Sequence, residues 1–411
     1  MPLIERKAYL DRLIEWKDQH IIKIVTGVRR CGKSTLLSQF RDYLSGQGVQ
    51  ADQIISINFE DFEVAHLKDL KALHNHVKSH LVPGRKTYLF FDEIQQVDNF
   101  QQVINSLFLN RDLDMYLTGS NANLLSGELA TLLTGRYVEI AMMPLSFSEY
   151  LSADRENRAS LESRYRHYIE TTSFPFAIEF HYRSQQIQEY LNGLYNTIIV
   201  KDIISRKKFN DSRLLESITR FLLDSIGSRI SCRKIADSLT SMGRKADTKT
   251  VERYVQSLEE SFVLYRAERY DIRGKQLLKT LEKYYAVDIG LRRALLGAKS
   301  MSAGHILENI IYLELRRRGY RVYIGKYDDL EVDFVTENEQ GTVYFQVSAT
   351  VRNEATLERE LRPLQKIRDH YPKYLLTLDD DPETEYNGIR QMNALRWLAP
   401  DFADGNNSTH F

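Results

Sequence analysis

Hydrophobic and polar positions along this chain follow two periods, and the change from one to the other marks out the elements. Near the start, Tyr9, Leu10, Leu13, Ile14 and Trp16 fall on one face of a helix. Short β-branched and aromatic runs at residues 21–25, 54–59, 88–91, 114–118 and 137–142 then each predict a strand. Helical spacing follows the first run (Leu36, Leu37, Phe40, Leu44), and it precedes the last (Leu124, Leu125, Leu129, Leu132, Leu133) until Gly135 stops it. The expectation is an α/β domain over residues 1–150, with an open parallel sheet. Residues 151–209 carry helical spacing (Tyr190, Leu191, Leu194, Tyr195, Ile198, Ile199) and predict a small helical lid.

Further on, residues 214–226, 231–239 and 248–261 predict three helices, and 262–265 and 284–287 two strands. A helix, the short connection Met242-Gly243-Arg244-Lys245 and a second helix make a helix-turn-helix arrangement whose two following strands would be a wing, so residues 210–298 are expected to form a winged-helix domain. Residues 299–400 read as a helix containing Glu308, strands at 321–324, 331–335 and 344–348, a helix at 359–367 and a strand at 374–378. Residues 401–411, with Gly405-Asn406-Asn407-Ser408, predict a disordered tail.

A length of 411 residues suggests two to four domains, and 43% hydrophobic with 27% charged residues suits a soluble globular protein. Residues 1–7 lack the apolar core of a signal peptide and no apolar run approaches membrane-spanning length, so a cytoplasmic protein without membrane contact is expected. Two cysteines far apart, Cys31 and Cys232, suggest neither a disulfide framework nor a zinc site. The net charge of +0 excludes a polycation that coats nucleic acid, but the charge is uneven. Residues 201–275 hold 17 Lys and Arg against 11 Asp and Glu, whereas residues 301–411 hold 13 against 19.

The chemistry concentrates between the first strand and the helix after it. Gly27-Val28-Arg29-Arg30-Cys31-Gly32-Lys33-Ser34-Thr35 fits the phosphate-binding pattern G-x-x-x-x-G-K-[ST] at every position. Glycines let the backbone approach phosphates, and successive N–H groups with the helix N-terminus hold the negative charge. Lys33 adds a point charge for the terminal phosphates and is expected to face solvent in the nucleotide-free loop, while Ser34 is left to ligate Mg²⁺. Cys31 is either a small residue that fits the turn or a redox switch that blocks nucleotide entry.

The third strand ends in Asp92-Glu93, after four hydrophobes. Asp92 would hold Mg²⁺ through water and Glu93 would polarise the attacking water; the alternative is a solvated acidic turn. The fourth strand ends in Gly119-Ser120-Asn121. Ligands of open parallel sheets sit outside the carboxyl ends of the strands, so Ser120 and Asn121 are candidate sensors of the γ-phosphate, or else a polar turn and helix cap. Arg136, at the rim of the sheet, is either an arginine that reaches into a neighbouring subunit or an ordinary surface arginine.

Together with Leu117-Thr118-Gly119-Ser120-Asn121, Leu133-Thr134-Gly135-Arg136 and Pro144-Leu145-Ser146-Phe147-Ser148-Glu149-Tyr150, these motifs resemble the AAA+ superfamily of predicted prokaryotic ATPases that carry a C-terminal half of unknown function. The resemblance spans nearly the whole chain. It implies a five-stranded AAA+ sheet, the sensor role of Ser120 and Asn121 and the arginine-finger role of Arg136. Relatives tend to have Gly-Gly-Phe-Pro where this chain has Thr171-Thr172-Ser173-Phe174-Pro175, so a lid loop of different shape is expected. Arg183 and Arg206 are candidates for the lid arginine that senses nucleotide.

The C-terminal segment resembles the restriction-endonuclease-like nuclease fold through Glu308 on a helix, Asp333 in a strand and Gln346-Val347-Ser348 in the next. Gln346 stands in place of an acid and Ser348 in place of the lysine that assists the attacking water, so catalysis is expected to be lost unless Lys366 or Lys373 swings in. Glu308 and Asp333 would otherwise fix strand ends. In the helix-turn-helix, Lys249, Arg253 and Gln256 can contact phosphates or base edges, although winged helices also dock proteins. The expectation is a Mg²⁺-dependent, ATP-binding and ATP-hydrolysing homo-oligomer that couples its ATP and ADP states to DNA or a partner. A protein-binding switch with slow hydrolysis and an ATPase-regulated metal-dependent nuclease are the rivals.

Overall fold

The computed structural model describes residues 4–122, 133, 135–153, 157, 159–180, 183–204, 207, 209, 211–297 and 302–402. Two compact units emerge, Leu3–Pro144 with Glu260–Phe262, and the remainder of the chain.

In the first unit, strands β1 (Ile22–Thr26), β2 (Ile54–Asn58), β3 (Thr87–Asp92), β4 (Leu113–Gly119) and β5 (Tyr137–Ala141) form one sheet in the order β2-β3-β4-β1-β5, parallel throughout. Helices α1 (Lys7–Glu15), α2 (Lys33–Gly46), α3 (Leu70–Ser79) and α4 (Gln101–Phe108) accompany it. All five residues of β1 and all seven of β4 are buried, as central parallel strands require. Even Lys23 of β1 is buried, because its ammonium pairs with Asp114 on the neighbouring strand and Asp114 also accepts from the Tyr116 hydroxyl at 2.8 Å. The predicted strands therefore recur within one or two residues of their expected ends. The helix expected through Leu124, Leu125, Leu129 and Leu132 lies outside the described residues; Leu133 is buried.

The second unit begins with α5 (Phe147–Ala153), α6 (Leu161–Glu170), α7 (Ser184–Thr197) and a π-helical turn at Ile198–Ile204. Next come α8 (Ser212–Asp224), β6 (Arg229–Ile230), α9 (Cys232–Ser241) and α10 (Thr248–Glu260). Asp211, Ser231 and Asp247 start these three helices, accepting from the N–H groups of Leu214, Lys234 and Thr250 at 2.8, 3.2 and 2.9 Å. The hairpin β7 (Leu264–Asp271) and β8 (Gln276–Ala286) is followed by α11 (Ile289–Leu296) and α12 (Ala303–Arg317), then β9 (Arg321–Tyr327), β10 (Leu330–Asn338), β11 (Gly341–Ser348) and α13 (Glu354–Lys366). Strands β12 (Lys373–Thr377), β13 (Thr384–Tyr386) and β14 (Ile389–Asn393) and helix α14 (Ala394–Leu398) complete it.

These strands make a nine-stranded sheet in the order β13-β14-β12-β11-β10-β9-β7-β8-β6. The β7–β8 hairpin does not stand alone: β7 pairs in parallel with β9, with Tyr270 opposite Gly325. Gly325 is needed there, since a Cβ would lie 2.8 Å from the side chains of both Val332 and Val335. Strands β9, β10 and β11 are antiparallel neighbours, and β12 joins β11 in parallel after the crossover through α13.

The Thr171–Pro175 segment also acquires a physical account. The Thr172 hydroxyl donates to Asp288 Oδ1 at 2.9 Å, and the N–H and hydroxyl of Ser173 donate to Asp288 Oδ2 at 2.7 and 2.6 Å. Gly290 packs so closely that a Cβ would lie 1.8 Å from the Thr171 carbonyl oxygen. Hydroxyls at 172 and 173 thus make bonds that two glycines could not.

Candidate functional site

The loop between β1 and α2 is shaped by its backbone. Gly27 (φ 151°), Arg30 (φ 66°) and Gly32 (φ 108°) have positive φ, and a Cβ on Gly27 would lie 2.0 Å from the Met142 carbonyl oxygen, so no other residue fits there. Val28 and Cys31 are fully buried, and burial pushes the Cys31 thiol up, which favours the small-residue role over a reactive thiolate. Arg29 pairs with Glu60 at 2.7 Å. Ser34 and Thr35 open α2 with exposed side chains.

Lys33 does not face solvent as expected. It is 4% exposed, and its ammonium donates to the carbonyls of Gly27 and Val28 at 3.0 and 3.3 Å, with Glu93 Oε1 3.4 Å away. The physical reason is that the loop curls its own carbonyls around the lysine, satisfying the charge internally.

The acids arrive at the carboxyl end of β3. Thr118, on the adjacent strand β4, links them: its hydroxyl donates to Asp92 Oδ1 and accepts from the Glu93 N–H at 2.8 Å. Burial raises the Asp92 carboxyl, against hydrogen bonds from Ser34 and Thr118 that draw it down. Glu93 adopts left-handed backbone (φ 54°), a strained conformation for a non-glycine residue. Burial would raise its carboxyl, but the Lys33 charge, with help from Gln95, Arg29 and Ser120, holds it below the ordinary value. Ser120 donates to Glu93 Oε2 at 3.0 Å, and Gln95 reaches the same oxygen. Asn121, next to Ser120, is 2% exposed.

Lys33, Ser34, Asp92, Glu93, Ser120 and Asn121 therefore gather at one end of the first sheet. Arg136 does not join them. It precedes β5, at the opposite end of the strands, where it is exposed, lies over the Phe108 ring at 5.5 Å and donates to Asn105 at 3.3 Å. Arg183 is exposed at the start of α7, and Arg206 lies outside the described residues.

Sequence reasoning missed three supporting residues. Arg6, 2% exposed, donates to the carbonyls of Cys31 and Met143 at 2.9 and 2.7 Å, clamping the phosphate loop from the chain start. Gln95 and Thr118 hold the acids. A polar residue two positions after Glu93 and a threonine at the end of a buried strand were the available signals; nothing local marked Arg6.

In the second sheet, Glu308, Asp333 and Gln346 are buried together: the Asp333 N–H donates to Gln346 Oε1 at 3.3 Å and Gln346 donates to Glu360 at 2.8 Å. Ser348 turns to the Thr350 carbonyl at 3.0 Å. Neither named lysine swings in, since Lys366 is exposed and Lys373 donates to the Asp369 carbonyl at 3.1 Å. The cation beside Asp333 is Lys283 of β8, 3.8 Å away.

A parallel sheet with a glycine-shaped phosphate loop after its first strand and paired acids after a neighbouring one defines a P-loop ATPase. Residues 19–151 match the family described as an AAA domain, and residues 162–302 match a domain of unknown function (DUF8612). An uncharacterized protein of Haemophilus influenzae is 40% identical over 400 residues, 96% of this chain and 98% of that one. The chain belongs to one family with the Haemophilus protein, and its residues 19–151 carry the AAA domain. An uncharacterized protein of Methanocaldococcus jannaschii is 28% identical over 361 residues, 84% of this chain and 78% of that protein. A solved Walker-type ATPase of Pyrococcus abyssi is similar over 71% of this chain and 95% of its own, at 14% identity and a TM-score of 0.49. Among the described residues no helix is long and apolar enough to cross a membrane.

Proposed function

We propose that the protein is a Mg²⁺-dependent ATPase that works as a homo-oligomer in the cytoplasm. The observation that carries this reading is the convergence of Lys33 of α2 with Asp92 and Glu93 at the end of β3 onto the carboxyl end of one sheet, with Thr118 of β4 bonded to both acids. The residues fit the nucleotide and its metal: the positive-φ backbone at Gly27, Arg30 and Gly32 shapes the loop, Lys33 carries the counter-charge, and Ser34 and Asp92 offer oxygen ligands. Bound Mg²⁺ would supply charge neutralisation to the phosphates. Glu93 orients and polarises the attacking water, and Ser120, bonded to Glu93, reports the γ-phosphate together with Asn121. In the nucleotide-free protein Lys33 neutralises Glu93; when phosphate oxygens draw the lysine away, the carboxylate is released to accept a water proton.

Arg136 supports assembly by its position. A strand of five residues separates it from the end of the sheet where the phosphate loop lies, about 16 Å at 3.3 Å per residue, so it serves a neighbour's nucleotide rather than its own. The test is turnover by the full chain. Lys33→Ala removes nucleotide binding or hydrolysis, and wild-type rates in that variant end the proposal. Arg136→Ala keeps ATP affinity and lowers turnover by about 10³ to 10⁵. Mixing the two variants restores activity, one contributing the intact site and the other the finger. No rescue at any ratio, with subunits shown to exchange, assigns Arg136 to the surface.

The second unit couples nucleotide state to a macromolecule. We read residues 210–298 as a winged helix and 299–400 as a non-catalytic nuclease-like fold, the latter supported by the succession of α12, three antiparallel strands, α13 and a parallel strand. The exposed Lys245, Lys249 and Arg253 favour DNA as the partner. A protein partner is the second reading, favoured because the would-be wing is built into the sheet and its Arg273 pairs with Asp328 at 3.0 Å. Binding that weakens steeply with salt selects DNA. Metal-dependent plasmid nicking lost in Asp333→Asn would restore the nuclease reading.

A further inference from the structure

Strand β8 sends Lys283 into the interior of the second unit, where the side chain is 4% exposed. Three carboxylates from two other elements meet its ammonium. Glu308 Oε1 of α12 lies at 2.8 Å, Glu331 Oε1 of β10 at 2.9 Å and Asp333 Oδ1 of β10 at 3.8 Å. Other groups use part of what remains of these acids. The Tyr285 hydroxyl donates to Glu308 Oε1 at 2.7 Å, the Val347 N–H donates to Asp333 Oδ2 at 2.9 Å, and Arg229 Nε lies 3.2 Å from Glu331 Oε2.

Several carboxylates buried together are costly unless a cation sits among them. Here that cation is present, and it is covalently part of the chain. The acid set is the all-oxygen kind that hard divalent cations take. Its oxygens are spread to ammonium distances, and among the described residues no group of His, Cys, Asp or Glu is arranged to hold a metal ion. To take up a cation of calcium's size, with oxygen distances of about 2.3–2.6 Å, they must contract by about 0.2 to 1.5 Å, less than Mg²⁺ demands.

We propose that the Lys283 ammonium occupies a divalent-cation site formed by Glu308, Glu331 and Asp333. The native chain is closed to metal here, and removing the ammonium opens the site to a cation of calcium's size. The inference does not rest on the ATPase reading, and ATP turnover is not its measure.

The experiment uses the full, nucleotide-free chain and Tb³⁺ as the probe, excited through tyrosine, because Tyr285 touches Glu308 and lies within transfer range of the site. Lys283→Gln is expected to bind Tb³⁺ at least about tenfold more tightly than wild type, a difference of 1.4 kcal/mol or more. Ca²⁺ should displace it and raise the Tm of the variant but not of wild type. Adding Asp333→Asn to Lys283→Gln should return the signal to the wild-type level, which separates this site from surface acids. A folded Lys283→Gln that answers Tb³⁺ and Ca²⁺ as wild type does overturns the proposal, as does Ca²⁺ binding by wild type that disappears in Asp333→Asn. Should Lys283→Gln not fold, Lys283→Gln with Glu331→Gln removes one acid with the ammonium; the same gain is expected, weaker, and its absence is equally fatal.

Discussion

Among the buried lysines that face carboxylates, Lys33 in the first unit and Lys283 in the second are held in different ways. Lys33 stands on a loop and leans on two neutral carbonyls at 3.0 and 3.3 Å, with its nearest acid at 3.4 Å. Lys283 stands on a strand and is gripped by Glu308 and Glu331 at 2.8 and 2.9 Å. Hydrogen bonds to charged acceptors are roughly twice as strong as those to neutral ones. On the proposed reading, a lysine that exchanges its partners for phosphate is parked on carbonyls, and a lysine that stays is fixed by charge. Both sites bury the ammonium, and the nature of the acceptors separates them.

Removing the acid from the first pair should have the larger effect on function. Glu93→Gln keeps the shape and the bond from Ser120 but loses the general base, so turnover should fall by about 10² to 10⁴ while ATP binding persists. Binding and single-turnover measurements check it, and a variant that hydrolyses ATP normally would move the water-polarising role elsewhere. The pH dependence has a definite sign. The Glu93 carboxyl is held below its ordinary value, so the stability it contributes is present above the unfolded carboxylate pKa and lost as pH falls through the folded one. Any stability deficit of Glu93→Gln should accordingly shrink in acid.

Removing the lysine from the second pair should act on stability instead. Lys283→Met leaves Glu308 and Glu331 without their buried counter-charge, and breaking such a pair costs about 3–5 kcal/mol. Denaturant unfolding measures it. Loss under about 1 kcal/mol would mean that the acids simply take up protons or water, and the contrast between the lysines would collapse.

The two sites were not equally legible in the sequence. The phosphate loop and its acids are encoded locally: residues 27–35 form a contiguous motif, and Asp92-Glu93 closes an apolar strand, so position in sequence predicts position in space. Even there, the burial of Lys33 was missed, because the carbonyls that hold it are exposed by the loop's positive-φ residues and carry no side-chain signature. Lys283 reads as one polar residue in the run Leu281-Glu282-Lys283-Tyr284-Tyr285, and strand alternation alone does not say which face is buried in a sheet covered on both sides. Its partners follow after a separate helix and strand. Arg6 and Asp288 escaped for the same reason, since their partners lie 137 and 116 residues away. The β7–β9 pairing joined two segments whose sequence patterns suggested separate domains.

The smallest expected effect sharpens the contrast from within the second site, at Asp333. Burial first, and the neighbouring Glu308 charge next, push the Asp333 carboxyl well above its ordinary value, against the pull of Lys283 at 3.8 Å. A carboxyl raised on folding contributes stability below the unfolded pKa and loses it as pH rises through the folded one. Asn at this position resembles the protonated acid and its side-chain oxygen can still accept the Val347 N–H, so Asp333→Asn should alter stability by no more than about 1 kcal/mol near neutrality. Because the amide does not titrate, the variant should gain on wild type as pH is raised, and the two should converge in acid. Urea unfolding at mildly acid and mildly alkaline pH distinguishes the cases. A loss of about 3 kcal/mol or more, growing with pH, would make Asp333 an ionised partner of Lys283 equal to Glu308 and Glu331. The ammonium would then be balanced by three full charges instead of two, and the second lysine would be held more tightly still.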